Sequence, residues 1–284
     1  MISLKPISLP KLTQASALLT REVEVINEKG EKAKMQIPAE RDLTVYVDKR
    51  ELVTLMTLGA KPELLVLGFL LNQRLVDSAQ QIESITVDWD VNSAAVKTHS
   101  GIEKIEERTA KKVVTTGCGQ GSVFGGLMDD IETIELPAAQ LTQTQLYGIT
   151  EAIRQQETTY KSAGSVHGCA LFKGTQMLMF VEDVGRHNAI DTLAGWMAMQ
   201  GISTYEVAAE NEPYVFYTTG RLTSEMVIKS AQMGIAIVVS RSGITQMGYD
   251  IAQRVGLCAI GRAVNKHFVA YTGSQRLIFD RTLN

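Results

Sequence analysis

The chain contains 284 residues, 45% of them hydrophobic, which is ample for a packed core in one large domain or two modest domains. Its formal net charge of -3 and its pI near 5.9 exclude proteins that bind nucleic acid or an anionic membrane through an overall basic surface. A binding site for an anion would have to be built locally from a few Arg and Lys side chains.

Three cysteines, Cys118, Cys169 and Cys258, lie far apart in the sequence, and none is spaced for a shared metal site. This usage indicates a reducing compartment. No run of ~18 apolar residues occurs, and residues 1–10 lack the continuous apolar segment of an export signal. We therefore expect a cytoplasmic protein without a membrane span.

The N-terminal part of the chain predicts a hairpin followed by a helix. Short bursts of alternating apolar residues within 21–48, separated by a polar turn at 28–34, indicate an antiparallel hairpin pair. Residues 61–71 have helical spacing with two opposed apolar faces, and Pro62 suits the first turn.

Two more strands are predicted before the first domain ends, at 82–90 and 94–98. Residues 103–112 mix both signs of charge and indicate a solvated segment. A glycine-rich loop follows, and the first natural break comes after it. We place residues 1–136 in an N-terminal α+β region and residues 137–284 in a second domain.

The second domain alternates strands with helices, which is typical of a layered α/β domain. Strands are predicted at 170–172, 177–181, 214–217, 235–239 and 257–260. Helices are predicted at 141–156, 190–199, 224–233 and 249–255, the third with Thr223 or Ser224 as its N-cap.

The densest group of ionisable residues is the segment Glu182–Asp191, Glu-Asp-Val-Gly-Arg-His-Asn-Ala-Ile-Asp, which lies where a predicted strand turns into a helix. This edge of an α/β sheet is where ligands bind, because helix N-termini offer unpaired N–H groups. His187 could be an acid/base group, an anion donor or a structural hydrogen-bond hub. We expect His187 and Asn188 to border a pocket.

Glu182 and Asp183 could form a general acid/base pair, but consecutive residues of a strand face opposite ways. An Asp at a helix entrance serves more often as an N-cap, or it pairs with a nearby Arg such as Arg186. We therefore expect Asp183 and Arg186 to fix the turn.

The loop at 117–126 surrounds Cys118 with five glycines, Gly117, Gly119, Gly121, Gly125 and Gly126. Such a loop keeps a thiol free of bulky cover. Cys118 could be a nucleophilic or sulfur-carrying thiol, or simply a small residue in a turn, and the residue types alone do not decide. Cys169 and Cys258 have apolar neighbours and are expected to serve packing.

Two further loops, at 218–225 and 240–245, each follow a predicted strand, precede a helix, and combine hydroxyls, a glycine and one Arg. Hydroxyls, backbone N–H groups and a guanidinium suit phosphate oxygens. Two such loops in succession, on one sheet edge, predict an anion-rich ligand. His167, between Ser165 and Gly168, has a similarly open setting, although a structural turn histidine would look the same.

At these residues the chain resembles the formate dehydrogenase accessory sulfurtransferases, the FdhD-type sulfur carrier proteins. The resemblance rests on Glu182–Asp191, Val166-His167, Thr219-Gly220-Arg221 with Ser224-Glu225-Met226, Ser240-Arg241-Ser242, and the Leu67–Leu70 helix. It implies a cytidine deaminase-like three-layer αβα domain, without the zinc chemistry, preceded by a smaller α+β, partly antiparallel domain. It also implies a cytoplasmic homodimer.

The activity that the resemblance implies is sulfur transfer to a cofactor. A cysteine desulfurase would supply sulfur as a persulfide on Cys118. The acceptor would be the molybdenum cofactor, as bis-molybdopterin guanine dinucleotide, before it enters formate dehydrogenase; a guanine nucleotide would mimic it. The expected cofactor-binding residues are His167, Arg186, His187, Asn188, Thr219, Arg221, Ser240, Arg241, Ser242, Arg262, Asn265, Lys266 and His267.

The chain departs from the family in two places. The family carries Cys-x-x-Cys in the glycine loop, but position 121 is Gly, so a resolving thiol is missing and sulfur release needs an external reductant or attack by the acceptor. The positive charges of 261–267 are also rearranged relative to the family's cofactor segment.

Two alternatives follow from these departures and from the fold. The missing thiol suits a non-catalytic chaperone that binds the cofactor without moving sulfur. A zinc deaminase would need His-x-Glu paired with Pro-Cys-x-x-Cys, and the sequence contains no such set. We therefore expect no metal site.

Overall fold

The computed structural model describes residues 8–103, 131–156, 158–205 and 212–280. The predicted glycine-rich loop at 117–126, with Cys118, lies outside these ranges, as does most of the predicted solvated segment at 103–112.

The described residues form a mixed α/β structure. The strands are β1 Lys11–Leu12, β2 Thr20–Ile26, β3 Lys32–Pro38, β4 Arg41–Val47, β5 Arg50–Thr57, β6 Ile82–Asp88, β7 Ser93–Thr98, β8 Leu141–Thr142, β9 His167–Lys173, β10 Gln176–Asp183, β11 Tyr214–Thr218, β12 Ile237–Ser240, β13 Cys258–Val264, β14 His267–Ala270 and β15 Leu277–Ile278. The α-helices are α1 Pro62–Asn72, α2 Gln143–Gln155, α3 Thr159–Ala163, α4 Arg186–Gln200, α5 Ser224–Gln232 and α6 Gln246–Arg254.

The chain divides into two compact units. The described residues of Met1–Gly126 pack together with Asp183–Ile202, and those of Leu127–Glu182 pack with Ser203–Asn284. The sequence suggested a single division at residue 136. In the structure the segment Asp183–Ile202, which contains α4, belongs to the first unit although it is embedded in the sequence of the second.

The first unit contains a sheet with the strand order β1-β6-β7-β4-β5 among its described residues. Strands β4 and β5 are antiparallel, and β4 runs parallel to β7. Every second residue of β4, namely Leu43, Val45 and Val47, is buried, as the alternating pattern predicts. Strands β2 and β3 form a separate antiparallel ribbon, so the predicted hairpin closes between them and not with β4.

Helices α1 and α4 of the first unit pack backbone against backbone. A Cβ atom added to Gly68 would lie 1.6 Å from the carbonyl oxygen of Asp191, and one added to Gly195 would lie 2.0 Å from that of Leu64. Asn72 Nδ2 also donates to Asp191 Oδ1 at 2.7 Å. This close approach explains why α1 buries residues on both of its predicted apolar faces.

The second unit contains a sheet with the described order β10-β9-β11-β12-β13-β14. Strands β11, β12 and β13 are parallel, whereas β9 pairs antiparallel with β11 and β14 antiparallel with β13. Residues from this sheet, including Phe172, Val215 and Ile260, form the buried core with Leu146 and Ile149 of α2. Because β11 and β12 are parallel neighbours, their carboxyl ends lie side by side.

Candidate functional site

The two hydroxyl-rich loops lie at one sheet edge, as predicted. Thr218 at the end of β11 is in register with Ser240 at the end of β12. Arg241 N donates to the Thr218 carbonyl at 3.0 Å. Further on, Leu222 and Ile244 pair in parallel. The loops are thus joined along their length and form one continuous surface.

Buried hydroxyls give these loops their shape. Ser240 is fully buried; its Oγ donates to the Gly220 carbonyl at 2.7 Å and accepts from Ser242 N at 2.9 Å. Thr218, also fully buried, accepts from Gly220 N at 3.1 Å. Both hydroxyls are engaged within the protein, so they position the loops and leave other groups to face a ligand.

A cavity of about 340 Å³ lies entirely within the second unit, next to these loops. This volume falls within the usual range of small-molecule pockets. The lining residues come from α2, α3, the sheet and the turn after β13. They are Thr150, Ile153, Arg154, Thr158, Tyr160, Lys161, Gly168, Phe180, Glu182, Tyr217, Thr219, Arg241, Ala263, Val264 and Asn265.

Three of the predicted cofactor-binding residues, Thr219, Arg241 and Asn265, line this cavity. Thr219 Oγ1 accepts from Gly168 N at 3.0 Å, which ties the first loop to β9. The carbonyl of Asn265 accepts from Thr150 Oγ1 at 3.1 Å, which ties the turn after β13 to α2. The cavity walls are therefore cross-linked by hydrogen bonds.

The cavity combines flat apolar surface with positive charge. Phe180 and the largely buried Tyr217 line it with aromatic rings, Lys161 and Arg241 supply cations, and Arg154 is paired with Glu151 at 2.6 Å. Burial raises the pKa of Tyr217 to about 12, against the opposing effect of the Arg241 charge, so its hydroxyl stays protonated at neutral pH. Such walls suit a ligand with a planar ring and an anionic group.

The sequence did not single out the aromatic walls. Phe180 and Tyr217 belong to apolar strands, where nothing in the pattern separates a cavity wall from a core residue. The one sequence feature that points to the aromatic wall is Gly168. A Cβ atom at this position would lie 3.0 Å from Phe180 Cζ. The small residue beside His167 therefore makes room for a ring.

The other predicted residues of the second unit lie outside the cavity lining. His167 begins β9 and is half-buried, and Arg221 is exposed in the first loop. Arg262, Lys266 and His267 are exposed on the β13–β14 hairpin.

This hairpin is joined to the second loop. Arg262 N donates to the Ser242 carbonyl at 2.7 Å. A Cβ on Gly261 would lie 2.8 Å from that same oxygen. The rearranged 261–267 segment thus borders the second loop through its backbone.

The sequence boundary between the two units falls within the charged segment, between Glu182 and Asp183. Helix α4 begins at Arg186, earlier than the predicted start at 190, so Arg186, His187 and Asn188 form its first turn and belong to the first unit. Arg186 and His187 are each 6% exposed and Asn188 is 1% exposed.

Asp183 fixes the turn, as predicted. Its carboxylate accepts from Thr57 Oγ1 at 2.5 Å, Leu58 N at 3.1 Å, Gly185 N at 3.1 Å and Asn188 Nδ2 at 2.8 Å. Burial raises the pKa of Asp183 above its ordinary value, and the hydrogen bonds oppose this shift. Asn188 Nδ2 also donates to the Met56 carbonyl at 2.7 Å. Asp183 and Asn188 are therefore held within the first unit.

Glu182 faces the other way along β10 and lines the cavity. Its carboxylate accepts from Thr159 N at 2.6 Å and Tyr160 N at 3.1 Å, the first amides of α3. As expected for consecutive residues of a strand, the carboxylates of Glu182 and Asp183 point in opposite directions. They do not form an acid/base pair.

Cys169 and Cys258 are fully buried, which confirms their packing role. Cys169 Sγ lies 3.3 Å from Thr218 Oγ1, and burial raises the pKa of Cys258 to about 12. In the part of the chain that the structure covers, no three His, Cys, Asp or Glu side chains are placed to hold a metal ion. No described helix is long and apolar enough to cross a membrane.

The fold matches that of a solved structure named for a formate dehydrogenase accessory protein from Desulfotalea psychrophila, with a TM-score of 0.71 and 22% identity over 91% of this chain and 98% of the other. A model of the FdhD/NarQ family matches residues 38–278. The chain therefore belongs to the FdhD/NarQ family, as its motifs predicted.

Curated relatives carry one name across several bacteria. The sulfur carrier protein FdhD of Bacillus subtilis (strain 168) is 29% identical over 254 residues, 88% of this chain and 94% of the relative. The protein of the same name from Listeria monocytogenes serotype 4b is 28% identical over 244 residues, 85% of this chain and 91% of the relative.

Proposed function

We propose that this protein is a sulfur carrier for the maturation of formate dehydrogenase. Membership of the FdhD/NarQ family over residues 38–278 is the observation that carries this proposal. The names of the relatives and of the structural neighbour support it. In this role Cys118 accepts sulfur from a cysteine desulfurase and passes it to the molybdenum cofactor, as bis-molybdopterin guanine dinucleotide.

The first transfer is a thiol exchange on a persulfide. The Cys118 thiolate attacks the outer sulfur of the desulfurase persulfide, the sulfur–sulfur bond breaks, and the desulfurase leaves as a thiolate. One sulfur atom on the protein suffices for this step. The lone thiol of 117–126 is therefore compatible with loading.

We assign the cavity of the second unit to a guanine nucleotide end of the acceptor. Phe180 offers flat surface to a base, while Arg241 and Lys161 offer positive charge to phosphate. A volume of about 340 Å³ suits one nucleotide-sized group. Thr219 and Asn265 supply polar contacts. The exposed predicted residues of this unit, Arg221, Arg262, Lys266 and His267, would contact parts of the acceptor beyond the cavity.

The family resemblance also carries proposals about architecture and setting. We propose that the second unit has the cytidine deaminase-like arrangement; the order β10-β9-β11-β12-β13, with β9 antiparallel to the parallel strands β11, β12 and β13, supports this. We further propose a cytoplasmic homodimer that meets a cysteine desulfurase and a formate dehydrogenase.

Intact-mass measurement tests the carrier role. The protein is incubated with a cysteine desulfurase and cysteine, and the expected result is the addition of sulfur to the wild type and none to Cys118→Ala. Cys258→Ala, which changes a fully buried thiol, is the matched control and should load like the wild type. Loading of Cys118→Ala equal to that of the wild type would refute the proposal.

A cofactor-binding chaperone is the alternative, and Gly121 in place of a second thiol favours it. The two roles differ in what they require of Cys118. A chaperone would mature formate dehydrogenase equally well as Cys118→Ala, whereas a sulfur carrier would lose maturation with this substitution.

A further inference from the structure

Helix α3 forms one wall of the cavity but has little packing of its own. It spans only five residues, Thr159–Ala163, and none of them is buried. Helices shorter than ~12 residues are marginal in water without tertiary support. Yet Tyr160 and Lys161 of α3 line the cavity. The position of this wall therefore depends on hydrogen bonds at the helix end.

Glu182 supplies those bonds. Its two carboxylate oxygens accept from consecutive amides, Oε2 from Thr159 N at 2.6 Å and Oε1 from Tyr160 N at 3.1 Å. The side chain is nearly buried, 9% exposed, and it projects from β10 of the central sheet. Thr158 Oγ1 completes the cap by accepting from Lys161 N at 3.0 Å. A rigid strand thus fixes the first turn of a weakly packed helix.

We propose that Glu182 is a positioning residue that holds α3 as a wall of the cavity and thereby strengthens binding of an anionic ligand. The part that concerns the ligand rests on the proposed function. The charge of Glu182 alone would have the opposite effect on affinity, because a carboxylate at a cavity wall repels an anion. The sign of the effect of Glu182→Gln on affinity therefore separates positioning from charge.

Glu182→Gln is the sharpest variant because glutamine has nearly the same shape. Its Oε1 still accepts one amide, but its Nε2 is a donor and faces the second amide. The expected result is faster hydrogen exchange at the Thr159 and Tyr160 amides, together with about tenfold weaker binding of GDP by calorimetry. Removal of a charge alone would strengthen GDP binding.

Two other variants complete the test. Glu212→Gln removes a carboxylate that is 57% exposed, lies 4.0 Å from Lys173 and is absent from the cavity lining, so it should change neither readout. Thr158→Ala removes the other cap of α3 and leaves Glu182 intact. Because Thr158 itself lines the cavity, this variant is judged by hydrogen exchange alone, which should be faster in α3 even if Glu182→Gln fails to fold.

The two readouts keep this proposal separate from the identity of the ligand. If the wild type does not bind GDP, the nucleotide assignment fails, and exchange at Thr159 and Tyr160 still decides whether Glu182 holds α3. Unchanged exchange in Glu182→Gln would overturn the proposal. Faster exchange with equal or tighter GDP binding would overturn it as well.

Discussion

Thr57 Oγ1 donates to Asp183 Oδ2 at 2.5 Å, across 126 residues of sequence. Both groups are buried, and the same hydroxyl accepts from Gly59 N at 3.1 Å. The end of β5 is therefore tied to the turn before α4. This contact, together with the packing of α1 against α4, holds Asp183–Ile202 in the first unit.

The Thr57–Asp183 contact should be measurable as a coupling energy. Thr57→Val removes one donor and should lower the free energy of unfolding by about 1 kcal/mol. Asp183→Ala leaves four buried donors without their acceptor and should cost about 3 kcal/mol or more. Because the two groups contact each other, the double variant should lose less than the sum. Urea denaturation of the four proteins provides the test, and additive losses would contradict the coupling.

The free energy of unfolding should depend on pH in a way that reflects the titration of Asp183. Burial raises its pKa above the ordinary 3.8, so the folded protein holds this proton more tightly than the unfolded chain does. The stability from this group is fully present below the unfolded pKa and is lost as the pH rises through the folded pKa. Asp183→Asn cannot titrate at this position. The free energy of unfolding of the wild type should therefore fall relative to that of Asp183→Asn as the pH rises from about 3.8. The opposite slope would show that the four hydrogen bonds outweigh burial.

Sequence patterns located most elements because burial imposes periodicity on strands and helices. They placed the start of α4 too late, since Arg186, His187 and Asn188 are polar and nothing in the local pattern shows that they are buried. Asn188 Nδ2, for example, donates to the Met56 carbonyl.

The candidate site shows the same limit. The loops that carry Thr219 and Arg241 were visible as hydroxyl- and arginine-rich turns. Phe180 and Glu182 were not assigned to a cavity, because their roles arise from contacts with Gly168 and with the amides of α3. No local pattern encodes such contacts.

Gly261 should be intolerant of a side chain, whereas Gly243 should accept one. A Cβ at Gly261 would lie 2.6 Å from Tyr271 Cε2 and 2.8 Å from the Ser242 carbonyl, but the nearest such atom at Gly243 is the Tyr271 hydroxyl at 3.9 Å. Forcing extra volume into a packed site costs about 1 to 3 kcal/mol. Gly261→Ala should thus lower the unfolding midpoint and Gly243→Ala should leave it nearly unchanged. Equal midpoints would contradict the close approach of the hairpin to the second loop.

Arg221 and Arg241 are the single arginines of the two loops, yet only Arg241 is among the residues that line the cavity. If GDP occupies the cavity, Arg241→Gln should weaken its binding by about tenfold or more, the worth of a charge-assisted hydrogen bond. Arg221→Gln removes the same charge from the neighbouring loop and should change the dissociation constant by less than about threefold, because Arg221 does not line the cavity. Calorimetry on both variants is the measurement, and equal losses would place the nucleotide on the outer surface of the loops.

Release of sulfide from a Cys118 persulfide should require an added thiol. A second protein thiol would attack Cys118 Sγ, form a disulfide and expel hydrosulfide, but position 121 is Gly, and both Cys169 and Cys258 are fully buried. An external thiol must then attack instead, leaving a mixed disulfide that a second thiol reduces. We expect persulfidated wild type, freed of small thiols, to hold its sulfur until dithiothreitol is added. Gly121→Cys should release sulfide without it, because the new thiol restores the Cys-x-x-Cys pair. Spontaneous release by the wild type, abolished by Cys169→Ala or Cys258→Ala, would instead show that a buried thiol becomes accessible and acts as the resolving group.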